Sequence, residues 1–558
     1  MKNIFVIIIT LFLASCATGT IEKDKAGADI IILNAKVWTG SASDFSNSIV
    51  IRKEKITFIG DDDGVLNFSD ENTRVIDAKG RLVLPGFIDS HTHFIYGGFQ
   101  FNNVDLRQAF SKQEFVALLS QKAESMNVNS WITGGSWDHQ QFPDRELPKA
   151  DWIDSVTKNV YVFVTRHDEH MGVANSRALE LAGITSQTPD PSGGKIVRDP
   201  ITGEATGLLK DAAMNLILEI IPDNTIEERM DAAITAMHHA EEIGVTSIND
   251  MGDWDDMTAY TNLEAESKLS LRVNFYAPID KIQQVLDTDR DVFPSSSLLK
   301  LSGFKAYVDG SLGSSTAYFF EPFSDDSTNS GLLNTNMLPP SKMSSLVIRA
   351  DSAGWQLAIH AIGDKANSMI LDIFEDRVKT NGIRDSRFRI EHAQHIDPSD
   401  FSRFFDNGII ASVQPFHAID DGRWAVNKIG NERGKTTYAF RTFIDSGVRL
   451  AFGTDWTVAP LNPLQGIYAA VTRRTTDGKN PDGWYPEQKI TLNEALIAYT
   501  LDAAYAGFNE NLIGSIDIGK FADLIILNEN LFQIPPEEID NVLVDMTIFN
   551  GKVIFKRQ

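Results

Sequence analysis

A His-X-His pair closes the segment Pro85-Gly86-Phe87-Ile88-Asp89-Ser90-His91-Thr92-His93. In an extended strand residues i and i+2 point to one face, so His91 and His93 can hold a single ion. Eleven histidines in 558 residues give ~0.2 such pairs by chance, so spacing alone does not decide the matter. Other residues of ligand type end other apolar runs. Lys305 lies in Gly303-Phe304-Lys305-Ala306-Tyr307-Val308-Asp309-Gly310, His360 follows Leu357-Ala358-Ile359, His392 follows Arg389-Ile390-Glu391, and Asp455 follows Ala451-Phe452-Gly453-Thr454. Taken singly, a strand histidine is more often a hydrogen-bonded core residue than a ligand, and a strand lysine is usually exposed. Six such groups at the ends of five strands favour a metal site. Their nitrogen and oxygen donors suit a divalent transition ion, zinc above all. Such an ion polarises a carbonyl and brings the pKa of water towards ~7. Asp455 is then expected both to bind the ion and to take the proton of that water. A ligand role alone is the alternative.

The remaining histidines carry weaker signals. His167 and His170 lie in Arg166-His167-Asp168-Glu169-His170, just past an apolar run, and their spacing does not match the two-turn zincin motif. His170 reads as a substrate contact or a structural residue. His395 and His417 lie just past strand ends and are candidates to line a pocket. His238 and His239 read as solvated helix residues. Trp137, Trp456 and Trp484 are packing residues by default, with Trp137 the candidate for an apolar substrate wall.

These groups need a scaffold that brings strand ends together. Eight apolar runs, at 83–89, 245–250, 271–277, 301–308, 356–360, 388–392, 409–413 and 450–454, alternate with helical periods. That alternation predicts parallel β/α units, and eight of them close a (β/α)8 barrel whose site lies at the C-terminal ends of the strands. The stretch from about 99 to 241 is too long for one crossover, so it is predicted to be an insertion, a lid or subdomain over the barrel mouth. Short strand-like runs separated by turns occupy both chain ends. Ala28-Asp29-Ile30-Ile31-Ile32-Leu33-Asn34 is nearly repeated as Ala522-Asp523-Leu524-Ile525-Ile526-Leu527-Asn528. Neither end has enough strands for its own core, so the two are predicted to build one discontinuous β-sandwich. The resulting division is 29–84 and 511–558 for the sandwich and 85–510 for the barrel.

The first residues read differently. Lys2, an apolar run at 4–13 and Leu13-Ala14-Ser15-Cys16 have the form of a secretory signal, far shorter than the ~20 residues of a spanning helix. Leu-Ala-Ser-Cys resembles the bacterial lipoprotein box, which implies a signal peptide over 1–16, lipid on Cys16 and a polar tether over 17–28. Ala17 after the cysteine implies the outer membrane, with the protein facing the periplasm. Cys16 is the sole cysteine, which excludes an intramolecular disulfide and a thiolate zinc site. A formal charge of -25 repels phosphate backbones, so nucleic acid is not an expected partner. The expected partner is a small-molecule substrate, and self-association is left open.

Pro-Gly-Phe-Ile-Asp-Ser-His-Thr-His, the Glu391-His392 pair and the late Gly453-Thr454-Asp455-Trp456 resemble the amidohydrolase superfamily. Lys305 with Asp309-Gly310-Ser311-Leu312-Gly313-Ser314, and Asn175-Ser176-Arg177-Ala178-Leu179, resemble the branch that contains N-substituted formamide deformylases. The resemblance implies one ion on His91, His93 and Asp455, a second on His360 and His392, and Lys305 bridging them as a carbamate. Electrostatics agrees with the bridge, because an ammonium beside two dications is repelled whereas a carboxylated lysine is an anion. Without carboxylation a single ion is expected. The implied activity is hydrolysis of a C–N bond in a small amide or formamide. A deaminase or ester or lactone hydrolase on the same scaffold is the alternative, and a catalytically inactive lipid-anchored binding protein is the reading from another class.

Overall fold

The structure is a computed structural model that describes residues 27–40, 45–101, 103–339 and 341–558. The signal peptide, Cys16 and nearly all of the expected tether lie outside the described residues. Eight strands form one parallel sheet in chain order: β1 (Phe87–Thr92), β2 (Val245–Asp250), β3 (Arg272–Pro278), β4 (Leu299–Tyr307), β5 (Gln356–Ala361), β6 (Arg389–His392), β7 (Ile410–Val413) and β8 (Leu450–Phe452). The sheet curls until its ends meet just beyond β8. There the Asp455 N–H donates to His91 O at 2.7 Å and the His93 N–H donates to Trp456 O at 2.8 Å. Strands buried on both faces read as continuous apolar runs, which is why the barrel is legible in the sequence. Ile248, Val273, Phe275, Phe304, Leu357 and Ile390 pack outward against the helices. The interior is polar instead: Asn274 Nδ2 donates to Asn249 Oδ1 at 2.7 Å, and the Tyr276 hydroxyl donates to Gln356 Oε1 at 2.6 Å.

The expected strand at 83–89 is two strands. Leu82–Pro85 pairs antiparallel with Leu524–Leu527 in a terminal sheet, and β1 begins at Phe87. The switch is at Gly86, whose N–H donates to Asp523 O while the next N–H, of Phe87, donates to Gly244 O. A Cβ on Gly86 would lie 2.1 Å from Thr246 Oγ1, so the crossing point has room only for glycine.

Both chain ends build the β-sandwich. One sheet orders Lys55–Gly60, Ser48–Arg52, Ile30–Leu33 and Arg74–Asp77, and the other orders Lys36–Val37, Leu82–Pro85, Leu524–Leu527, Val544–Phe549 and Lys552–Lys556. The two near-repeated segments face each other: Ile30 and Ile32 from one sheet share a core with Leu524 and Ile526 from the other. Arg272 on β3 ties this module to the barrel through Asp523 at 2.7 Å, with both side chains buried.

Between β1 and β2 the chain forms a further seven-stranded sheet spanning Val104 to Asp211, with a separate apolar core on each face. The helix Ile226–Ile243 is not part of it. A capping box of Thr225 and Glu228 starts that helix, and Ala232, Ala233, Ala236 and Met237 pack in the barrel core with Phe87. The inserted unit therefore ends before residue 226 rather than at 241. Among the described residues no helix is long and apolar enough to cross a membrane.

Candidate active site

His91 belongs to β1 and His93 follows it on the same face, at the mouth where all eight strands end. Beyond β8 the chain turns sharply, and Asp455 sits in the left-handed region at φ 55°. His392 (φ 71°), Glu169 (φ 60°) and Asp211 (φ 46°) also have positive φ, which non-glycine residues hold only where surrounding contacts enforce it. Asp89 enforces part of it. One of its oxygens accepts from the backbone N–H groups of His91 and Thr454, both at 3.0 Å, and the other accepts the Thr454 hydroxyl at 2.5 Å. Burial pushes the Asp89 carboxyl up to about 7.

The polar side chains converge. Asp455 Oδ1 lies 3.3 Å from His91 Nε2 and 3.4 Å from His93 Nε2, and Asp455 Oδ2 lies 3.9 Å from His392 Nδ1. Lys305 Nζ is 3.0 Å from His91 Nε2. The His360 and His392 rings are 4.5 Å apart between centroids. Burial would raise the Asp455 carboxyl, but His91, His93 and His392 around it hold it well below the usual carboxylate range. Burial also brings the Lys305 amine down to about 8, against the pull of Glu391 and Asp455.

Among the described residues, two groups offer donor atoms that all lie within 4.8 Å of one another: His91, His93 and Asp455, and His392, His417 and Asp455. Buried nitrogen and oxygen donors converging on one point fit a divalent ion. His417 thus stands with a ligand group as well as lining the cavity. His360 belongs to neither group; its Nε2 lies 3.1 Å from Gly310 O and 3.4 Å from Asp309 Oδ1, and its ring is 4.5 Å from that of His392.

Behind the ligands is a support that the sequence reading missed. Glu391 Oε2 lies 2.5 Å from His91 Nδ1, which leaves His91 Nε2 facing the site. Arg389 in turn donates to Glu391 Oε1 at 2.7 Å and Oε2 at 3.0 Å, and also to Ser90 O. Burial would raise the Glu391 carboxyl, but Arg389 and His91 override it and hold it at about 2. Carboxylates behind metal-binding histidines fix the ring and its tautomer in this way. The signal was available: Arg389 and Glu391 are two apart in a strand, so both face the barrel interior with His91.

A cavity of about 320 Å³ opens over this cluster. The barrel lines it with His93, Lys305, His360, His392, His417 and Asp455, and the inserted sheet lines it with Arg166 to His170 and Asp211. His170 Nδ1 lies 2.7 Å from Asp211 Oδ1; burial would lower the His170 imidazole, but that contact raises it to about 9. Trp137 and His395 do not line the cavity. The Trp137 side chain is wholly buried in the core of the inserted sheet, its indole N–H donating to Val164 O at 2.9 Å. His395 is turned away from the mouth, with its Nδ1 2.7 Å from Thr437 Oγ1 and its ring 5.1 Å from Phe319.

A model of the amidohydrolase family matches residues 74–555. The protein LONG AFTER FAR-RED 3 of Arabidopsis thaliana is 40% identical over 517 residues, covering 90% of this chain and 88% of its own. The N-substituted formamide deformylase of Arthrobacter pascens is 27% identical over 547 residues, 95% of this chain and 98% of its own. The crystal structure of a metal-dependent hydrolase from Pyrococcus horikoshii OT3 superposes with a TM-score of 0.74 at 27% identity, over 91% of this chain and 99% of that one. With its barrel, its split β-sandwich and its histidine–aspartate mouth, the chain belongs to the amidohydrolase family.

Proposed function

We propose that the chain is a zinc hydrolase cleaving the C–N bond of a small amide or N-substituted formamide. The observation that carries this reading is the convergence of His91, His93 and Asp455 on one point at the floor of the cavity. The similarity to a formamide deformylase supports the bond class. His91, His93 and Asp455 would hold one zinc ion and His392 would contribute to a second, and zinc bound there would supply Lewis acidity towards the scissile carbonyl and lower the pKa of water. The chain's own groups do the rest. Asp455, held as an anion, takes the proton of the attacking water and hands it to the leaving nitrogen. Glu391 and Arg389 keep His91 in one orientation, and the Arg166–His170 loop shields the bond from bulk solvent. Lys305 is proposed to carry a bridging carbamate. A carbamate signal in the 13C spectrum of protein equilibrated with 13C-bicarbonate is the expected result, and its absence from zinc-loaded protein would leave a single-ion site.

Zinc-loaded protein offered N-formyl amines, N-acyl amines, lactams and matched esters is expected to release amine from one of the nitrogen classes. Turnover confined to the esters would contradict the C–N reading.

Lipid anchoring through Cys16 is part of the same proposal, supported by the Leu13-Ala14-Ser15-Cys16 sequence, with the outer membrane as destination. Cys16→Ser removes the thiol that forms the thioether, so the variant is expected in the soluble fraction. A variant that still sediments with membranes after a carbonate wash would refute the anchor.

A further inference from the structure

A second cavity, of about 370 Å³, adjoins the first at the ligand set. His93, Glu169, Lys305 and Tyr307 line both cavities, so the reacting centre is reached from two chambers with one shared wall. That wall is fixed in place. The Glu169 side chain accepts the Thr457 hydroxyl at 2.7 Å. The neighbouring Arg166, buried, bridges Asp138 and Asp168, each at 2.7 Å. Gly313 of the barrel lies so close that a Cβ there would come within 2.1 Å of Arg166 Nη1. The inserted sheet is thereby clamped to the barrel mouth.

The second chamber has a distinct chemistry. Glu169, Asp253 and Asp256 give it carboxylates, Tyr96 and Tyr307 give it aromatic walls, and His93 and Lys305 stand at the wall it shares with the first cavity. Arg229 pairs with Asp256 at 2.6 Å and more loosely with Asp253 at 3.7 Å, whose side chain is 78% exposed. Hydrolysis of an amide by water yields a carboxylate and an amine: the water oxygen bonds to the acyl carbon, the C–N bond breaks and the nitrogen takes the proton. At neutral pH the amine becomes an ammonium ion. Carboxylates and aromatic faces are the groups that hold an organic ammonium.

We propose that the second chamber is the subsite for the amine half of the substrate, an ammonium product with an aromatic or apolar body. The inference rests on the C–N reading above. Direct binding to the zinc-loaded full-length protein tests it, with benzylammonium chloride and sodium benzoate as probes followed by saturation-transfer NMR titration. Asp253 precedes the helix Trp254–Ala265 as its cap, and asparagine caps a helix as well as aspartate does, so Asp253→Asn changes charge with little cost to folding. Benzylammonium is expected to bind about threefold to fivefold more weakly to Asp253→Asn and about tenfold more weakly to Asp253→Lys. Benzoate is expected to be unaffected by Asp253→Asn. Benzylammonium affinity unchanged in both variants, or no binding to the wild type, would overturn the subsite. If no amide is turned over while benzylammonium still depends on Asp253, the C–N reading falls and the cation subsite stands.

Discussion

Asp455→Asn is expected to lose turnover by about 10²–10⁴-fold, the usual cost of removing a general base, while keeping most of its metal. Asparagine retains an oxygen where Asp455 Oδ1 stands, 3.3 Å from His91 Nε2 and 3.4 Å from His93 Nε2. Those two histidines are positioned independently of it, His91 by Glu391 and His93 by the end of β1. What asparagine cannot do at neutral pH is accept a proton. Turnover and metal content measured on the same preparation separate the two roles. Near-normal turnover in a metal-loaded variant would move proton transfer to another cavity residue, His417 being the next to test. Complete loss of metal would leave Asp455 as a ligand only.

Glu391→Gln is expected to act on both stability and the metal, although Glu391 faces no substrate. The carboxylate is fully buried between His91 Nδ1 and the Arg389 guanidinium. Neutralising it strands Arg389, also fully buried, and breaking a buried ion pair from one side costs about 3–5 kcal/mol. It also weakens the hold on the His91 ring, for which about 10–100-fold in metal affinity is the usual consequence. Thermal unfolding of the metal-free protein reads the first effect, and competition with a zinc chelator reads the second. An unchanged unfolding midpoint together with unchanged zinc affinity would mean that Glu391 neither balances Arg389 nor orients His91.

The sequence announces ligands more clearly than it announces what supports them. His91, His93, His392 and Asp455 are legible because each ends an apolar run, and a barrel gathers the ends of its strands at one mouth. The break at Gly86 was hidden, because Leu82–Pro85 and β1 are equally apolar and only their hydrogen-bond partners change sheet. The start of the helix at Ile226 lies in a capping box that short-range reading can find, but its membership in the barrel depends on long-range packing. His395 was a pocket candidate because it follows a strand end, but that position does not fix which way a side chain turns, and Trp137 packs in a core as its default reading had it rather than forming a substrate wall. The role of the Arg166–His170 loop was only partly visible: its charges suggest exposure, yet Arg166 is buried and clamps an inserted sheet to a barrel loop more than 140 residues away in the chain. Periodicity reports which face is apolar, and it carries no information about the partner across a distant interface.

The most direct test of the account is the metal content of gently purified protein, followed through chelation and reloading while amine release is monitored. The account predicts one to two equivalents of a divalent ion per chain, zinc by preference for the histidine–aspartate donor set, with activity lost on chelation and restored as zinc is returned. A chain that holds no metal and still hydrolyses amides at the same rate would contradict it.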